Sequence, residues 1–105
     1  MKTEVAILHN EYPPELREYA EEKLRHLTRF NDRTISVRAL LDRESVEHKA
    51  KLVASVRHGV VEEVEGRADS IRAALDEAIQ RMGRVLSKHK DKLTQANRRG
   101  TRTQA

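Results

Sequence analysis

Residues Asp69 to Leu93 read DSIRAALDEAIQRMGRVLSKHKDKL and carry the clearest structural pattern in the chain. At about 100° per residue, their apolar side chains fall within one arc of a helix, a little under half of its circumference. The side chains of that arc are Ile71, Ala74, Leu75, Ala78, Ile79, Met82, Val85, Leu86 and Leu93. Asp69 and Ser70 can cap the amino end, and acidic residues precede basic ones, as the helix dipole favours. The pattern predicts a long amphipathic helix that packs on a core.

Basic side chains recur along one flank of this helix at steps of three and four residues. They are Arg81, Arg84, Lys88 and Lys92, and we call this set the basic line. Residues at that spacing lie on neighbouring turns, so their charged ends are expected to follow one another beside the apolar arc. Part of this placement is explained by the helix dipole alone, which favours bases near a carboxyl end.

Charge is distributed unevenly along the 105 residues, whose net charge is +4. Residues 81–105 hold eight Lys or Arg against one Asp, a net charge of +7, whereas the first 80 residues carry −3. A charge concentrated in this way points to a polyanionic partner, with nucleic acid the first choice and an anionic membrane surface the second. A solvated surface without a partner would usually intersperse both signs.

Length and composition indicate one domain with a modest core. The chain has no cysteine, which excludes a disulfide scaffold and suits a reducing cytosol. It also lacks an apolar run of membrane-spanning length and a secretion signal. We therefore expect a cytoplasmic protein.

Periodicity predicts the remaining elements and the fold class. Strands are predicted at residues 2–8, 34–42, 47–57 and 60–68, a first helix at 14–29, and a two-residue hairpin at His58-Gly59. In the second strand Ile35, Val37, Ala39 and Leu41 are expected on the buried face. The order β-α-β-β-β-α predicts an α+β fold, a four-stranded mixed sheet with two helices packed on one face. Residues 1–93 form the predicted domain, and residues 94–105 form a predicted disordered basic tail.

Catalytic and metal sites are hard to assemble from this sequence. The five histidines are dispersed without metal-ligand spacing, and the four glycines are isolated, so no phosphate-binding loop is present. We expect no enzyme activity, no cofactor and no metal. The sheet lacks the paired aromatics that stack on single-stranded bases, but the basic line repeats at roughly 5–6 Å, comparable with phosphate spacing. This favours structured RNA read through its backbone.

Segments spread along the chain resemble one family over about residues 2–93. The most specific is LSKHKDKL, Leu86 to Leu93, and LREYAEEKLRHL, DRTISVRALL, HGV and AALDEAI support it in the right order. These segments are similar to the ribosome hibernation-promoting factors and the related ribosome-associated translation inhibitors. The resemblance implies a protein that binds rRNA of the small ribosomal subunit in the mRNA and tRNA channel. Translation would be inhibited, and idle ribosomes preserved, in starvation or stationary phase.

The resemblance also implies a set of RNA-binding residues. They are Lys23, His26, Arg81, Arg84, Lys88, Lys90 and Lys92. Lys23 projects from the edge of the first helix's apolar arc, where a structural role as a snorkelling side chain is equally open. His26 stands where many members have lysine, which implies a weaker, pH-sensitive contact. Gly83 departs from good helix formers at a cost of about 1 kcal/mol.

Two questions stay open at the level of the sequence. The chain looks like a short member, which would need a separate ribosome modulation factor to pair ribosomes, or like the first domain of a long member. Its basic helix is also compatible with general double-stranded-RNA binding, or with a protein-interaction module that docks on an acidic partner.

Overall fold

The structure is a computed structural model that describes the backbone of residues 1–9 and 11–104 and the side chains of residues 1–9 and 11–88. Its elements are β1 (Lys2–Ile7), α1 (Glu15–Arg25), a 3₁₀ turn (His26–Arg29), β2 (Thr34–Glu44), β3 (Glu47–Val56), β4 (Val60–Ala68) and α2 (Ile71–Gln104). The predicted order β-α-β-β-β-α and the α+β class are confirmed.

The four strands form one mixed sheet in the order β1-β2-β3-β4. β1 and β2 run parallel with Val5 opposite Ala39, and the other two pairs are antiparallel, with Leu52 between Ala39 and Val64. His58 and Gly59 both have positive φ, 72° and 75°. Val56 pairs with Val60, so three residues, Arg57 to Gly59, join the strands, and the predicted two-residue hairpin is wrong by one residue. Glycine adopts positive φ without strain, which explains Gly59.

One face of the sheet packs against both helices. Alternate strand residues, the apolar arc of α1 and the apolar arc of α2 form a single cluster. Its fully buried members include Leu24 from α1, Leu52 from β3, and Leu75, Met82 and Leu86 from α2. Because each strand buries only alternate residues, the opposite face of the sheet is left open to solvent.

Helix α2 lies directly on β4 because small residues meet there. A Cβ added to Gly66 would come within 2.8 Å of the Ala78 amide nitrogen and closer still to the Ala74 carbonyl oxygen. Any side chain at Gly66 would push the two backbones apart. The amino end of α2 is fixed by Ser70, whose hydroxyl oxygen accepts the Ala73 amide at 3.2 Å, which confirms part of the predicted cap.

Two further local predictions are wrong. The first helix was expected to run to Arg29, but α1 ends at Arg25 and the next four residues form the 3₁₀ turn. The Thr28 hydroxyl donates to the Arg25 carbonyl at 3.0 Å, and this tighter turn redirects the chain toward α2. Ile35 was expected on the buried face, but it is 53% exposed. The pairing of β2 with β3 shifts between Thr34 and Ser36, so Thr34 is buried instead.

The backbone of residues 94–104 is described as part of α2, but the side chains of the predicted tail are not. Residues 94–105, and Lys90 and Lys92 of the predicted site, lie beyond Lys88, the last residue whose side chain the structure describes. The domain boundary at residue 93 and the roles of these residues stay predictions.

Candidate nucleic-acid interface

Arg81 is turned toward the sheet. Its guanidinium donates to the Glu65 carbonyl on β4 at 2.7 Å and pairs with Glu77, one turn earlier on α2, at 2.6 Å. β4 is an edge strand, so this contact covers a main-chain acceptor that would otherwise face solvent. Arg81 therefore holds α2 to the sheet, and its charge is balanced by a carboxylate. The carboxylate four residues earlier was a sequence signal of this pairing.

Arg84 and Lys88 have a different environment. Both are exposed, and among residues 1–9 and 11–88 neither lies within 4.0 Å of a carboxylate oxygen. They line one shallow groove of about 420 Å³ on the outer surface of the two helices, α1 and α2, which we call the helix layer. We call the groove itself the aromatic groove. Its lining residues are Phe30, Gln80, Gly83, Arg84, Ser87 and Lys88.

The groove exists because Phe30 packs against a glycine of α2. A Cβ at Gly83 would lie 3.1–3.3 Å from three carbons of the Phe30 ring, closer than side chains normally approach. The missing side chain therefore lets the ring rest on the helix. Phe30 is half-buried, and the Arg29 guanidinium carbon lies 5.4 Å from its ring centroid, a cation–π distance.

The loop that carries Phe30 is anchored by the next residue. Asn31 is 1% exposed, donates to the Leu86 carbonyl at 3.2 Å and accepts the Arg33 amide at 3.0 Å. A buried amide with both ends satisfied fixes its segment. Asn31 thus holds the segment that carries the Phe30 ring beside α2.

Lys23 and His26 lie on the α1 side of the helix layer. His26 is exposed at the start of the 3₁₀ turn. Lys23 is half-buried, with its ammonium nitrogen 5.4 Å from the Tyr19 ring centroid, while Arg72 lies 4.9 Å from the same ring. The Tyr19 hydroxyl donates to Asp76 at 2.8 Å. The pKa of Tyr19 is raised mainly by burial and secondly by this hydrogen bond. Tyr19 thereby joins α1 to α2.

Three basic side chains of β3 and β4 on the open face of the sheet are paired. Lys49 lies 3.2 Å from Glu65 and 3.4 Å from Glu44, Lys51 lies 2.8 Å from Glu63, and Arg67 contacts three carboxylates. The hydrogen bond from Lys49 lowers the pKa of Glu65, and those to Glu65 and Glu44 raise the pKa of Lys49. This face offers little uncompensated charge to a ligand.

Four predicted site residues lie on the helix layer: Lys23 and His26 on the α1 side, and Arg84 and Lys88 on α2. The sequence analysis missed the aromatic groove that Arg84 and Lys88 line. Phe30 was assigned only to the apolar arc of the first helix. Gly83 was noted only for its cost to helix stability. Two signals were available. Phe30 is the single phenylalanine of the chain, and a glycine inside a long helix usually has a packing reason.

The described part of the chain shows neither a metal site nor a membrane-spanning helix. Within it, no three His, Asp or Glu side chains are placed to hold a metal ion. No helix there is long and apolar enough to cross a membrane.

Residues 4–94 match the family model described as Sigma 54 modulation protein / S30EA ribosomal protein. The chain belongs to this family. S30EA relatives named ribosome hibernation promoting factor include that of Escherichia coli K12, 34% identical over 80 residues, 76% of this chain and 83% of the relative. The factor of that name from Klebsiella oxytoca is 34% identical over 88 residues, 83% and 92% of the two chains. The family resemblance seen in the sequence is confirmed.

Solved structures similar to this S30EA chain agree on the fold. One is described as a ribosomal subunit interface protein from Coxiella burnetii, with a TM-score of 0.78, 16% identity, and coverage of 87% of this chain and 99% of that one. The N-terminal domain of Thermus thermophilus Protein Y gives a TM-score of 0.72 at 23% identity and covers 85% and 99%. At these identities the likeness establishes the fold.

Proposed function

We propose that this chain binds rRNA of the small ribosomal subunit in the mRNA and tRNA channel, inhibiting translation and promoting hibernation of idle cytoplasmic ribosomes under stress. The observation that carries the proposal is the pair Arg84 and Lys88, exposed on α2 and without a carboxylate partner among the described residues. The relatives named ribosome hibernation promoting factor support the choice of the ribosome as the target.

Unpaired cations are the ones that gain most from a phosphate backbone. A cation already balanced by a carboxylate must give up that partner before it binds a phosphate, whereas Arg84 and Lys88 only release solvent and counterions. Lys23 extends the cationic surface across the α1 side, where His26 is also exposed. Lys90 and Lys92 belong to the proposed contact set on the sequence alone. Arg81 contributes less, because it is already bound to Glu65 and Glu77.

Inhibition then needs no chemical step. A folded domain seated in the channel excludes messenger and transfer RNA by volume, so protein and substrates compete for one site. Such competition is governed by mass action. Inhibition should therefore reverse when the protein dissociates, and bound tRNA should protect ribosomes from it.

The test is co-sedimentation with small ribosomal subunits. Arg84→Glu combined with Lys88→Glu is expected to abolish co-sedimentation and to leave the circular dichroism spectrum unchanged, because both side chains are exposed. The matched control is Arg38→Glu combined with Lys51→Glu. It makes the same charge change on the open sheet face, where both residues form exposed ion pairs, and it should still co-sediment. Equal binding of the two double variants would overturn the proposal.

Two other partners give different outcomes. A general double-stranded-RNA binder would bind a naked duplex as tightly as it binds the small subunit. A module docking on an acidic protein would bind RNA weakly and would keep its partner after ribonuclease treatment. The proposal requires the subunit to be bound more tightly than the duplex, and ribonuclease to release the protein.

A further inference from the structure

We propose that the aromatic groove holds one unpaired nucleotide of the bound RNA, its base stacked on Phe30 and its phosphate against Arg84 and Lys88. This inference rests on the proposed function and specifies what the α2 surface would contact in RNA. It assigns Phe30, which the sequence places only in the core pattern, to the binding surface.

The groove combines two features that a nucleotide also combines. It is lined by an aromatic ring and a glycine, and Arg84 and Lys88 line it beside them. A nucleotide has a flat π surface joined to a phosphate, and base–aromatic stacking with cationic contacts to the backbone is how proteins hold single-stranded nucleic acid. Its volume of about 420 Å³ is within the size range of small-molecule sites. A purely aliphatic ligand would leave both cations without a counter-charge.

The ring is also held ready for stacking. Gly83 supports one ring edge, the Arg29 guanidinium lies 5.4 Å from the centroid, and Asn31 fixes the following residue to α2. A ring held in place loses little entropy when a base stacks on it. Gln80 and Ser87 also line the groove, so an amide and a hydroxyl are available for hydrogen bonds to a base edge.

The occupant is a nucleotide outside a helix. Bases in A-form RNA are stacked on their neighbours and cannot lie against a side chain, whereas nucleotides in loops and bulges can be splayed out. The groove therefore favours RNA that offers an unpaired nucleotide close to the backbone that α2 follows. This would explain how a phosphate-contacting surface prefers one site in a large RNA.

Two variants of Phe30 test the inference by affinity. Phe30→Leu keeps an apolar side chain but removes the ring, and it should weaken binding to small subunits roughly 5- to 150-fold, the range for one stacked base. Phe30→Tyr keeps the ring and should retain most of the affinity. Neither variant should lose binding to a fully paired duplex. Thermal unfolding of both variants identifies any loss of folding that would mimic a loss of binding.

Ultraviolet cross-linking of the wild-type protein bound to small subunits gives a second readout. Trypsin cleaves after Arg29 and Arg33, so residues 30–33 form a separate peptide, and mass spectrometry should find a nucleotide attached to it. Wild-type affinity in Phe30→Leu, together with an unmodified 30–33 peptide, would overturn the inference. If the Arg84 and Lys88 reversals still abolish binding, the proposed function survives that result. Free AMP that competes as well as subunits would also overturn it, since the site would then serve a free nucleotide.

Discussion

The two broad surfaces of this domain carry similar residues in opposite arrangements. On the open face of the sheet, Lys49, Lys51 and Arg67 each lie within 3.2 Å of a carboxylate oxygen. On the helix layer, Arg84 and Lys88 have no carboxylate within ion-pair distance among the described residues and instead line the aromatic groove. The three cations of the first surface are balanced within the domain, whereas the charges of Arg84 and Lys88 are left for a partner.

The difference shows that counting basic residues does not locate a binding surface. Exposed pairs contribute little to stability, typically below about 1 kcal/mol each, but they remove the charge that a polyanion would bind. The same distinction operates inside α2, where Arg81 pairs with Glu77 and Arg84 has no carboxylate partner among residues 1–9 and 11–88. What distinguishes the helix layer is that two cations beside an aromatic ring, Arg84 and Lys88, have no carboxylate partner in the part of the chain whose side chains are described.

The largest effect is expected where the helix layer is attached to the sheet. Gly66→Ala would drive a Cβ into the backbone of α2 at Ala74 and Ala78 and should lower the free energy of unfolding by about 3 kcal/mol. Gly59→Ala is the control, because a Cβ there meets nothing within 4 Å and costs only the strain of positive φ, about 1 kcal/mol. Urea denaturation measures both. Equal losses would mean that α2 does not lie on β4 as described.

An intermediate effect separates two arginines of the same helix. Arg81→Met removes the hydrogen bond to the Glu65 carbonyl and should cost about 1 kcal/mol of stability. Arg84→Met should change stability by less than about 0.5 kcal/mol, but it should reduce the slope of log affinity against log salt by about 0.7–0.9. Paired measurements of unfolding and of small-subunit binding test this. A larger loss of stability in Arg84→Met, or a larger change of salt slope in Arg81→Met, would contradict the distinction between the two arginines.

The smallest effect is expected in the stability of the fold at low pH, which depends on the ion pairs of the open sheet face. Lys49 holds the pKa of Glu65 below its ordinary value of 4.5, so the folded state binds this proton less readily than the unfolded state. The resulting stability is present above pH 4.5 and is lost as pH falls through the lowered folded-state pKa. Glu65→Gln should therefore flatten the acid limb of stability against pH, measured by denaturant titration.

Much of the fold was predictable because it depends on local periodicity. Alternation identified β3 with Ala50, Leu52 and Ala54 buried, and the apolar arc of α2 identified its buried side. Apolar periodicity failed at two places. The shift in pairing with β3 turned Ile35 outward, and this depends on a neighbouring strand. The early end of α1 at Arg25 accompanies a local hydrogen bond from Thr28, which the apolar pattern does not show.

The candidate site was predictable only in part, for the same reason. The spacing of Arg84 and Lys88 placed them on one side of α2, as the structure has them. The contact between Phe30 and Gly83 joins residues far apart in the chain, so no periodicity reveals it. Arg81 was grouped with the others by spacing, although Glu77, one turn earlier, competes for its charge.

The most direct measurement is the dissociation constant for small ribosomal subunits as a function of salt, from about 50 to 200 mM. With four or five phosphate contacts, the slope of log affinity against log salt should be about −3 to −4 for the wild-type chain. It should move toward zero by about 0.7–0.9 in the Arg84→Met variant, and it should not move in the Arg38→Glu, Lys51→Glu variant. A wild-type slope near zero, or equal slopes in all three proteins, would contradict the claim that the unpaired cations of the helix layer bind the RNA.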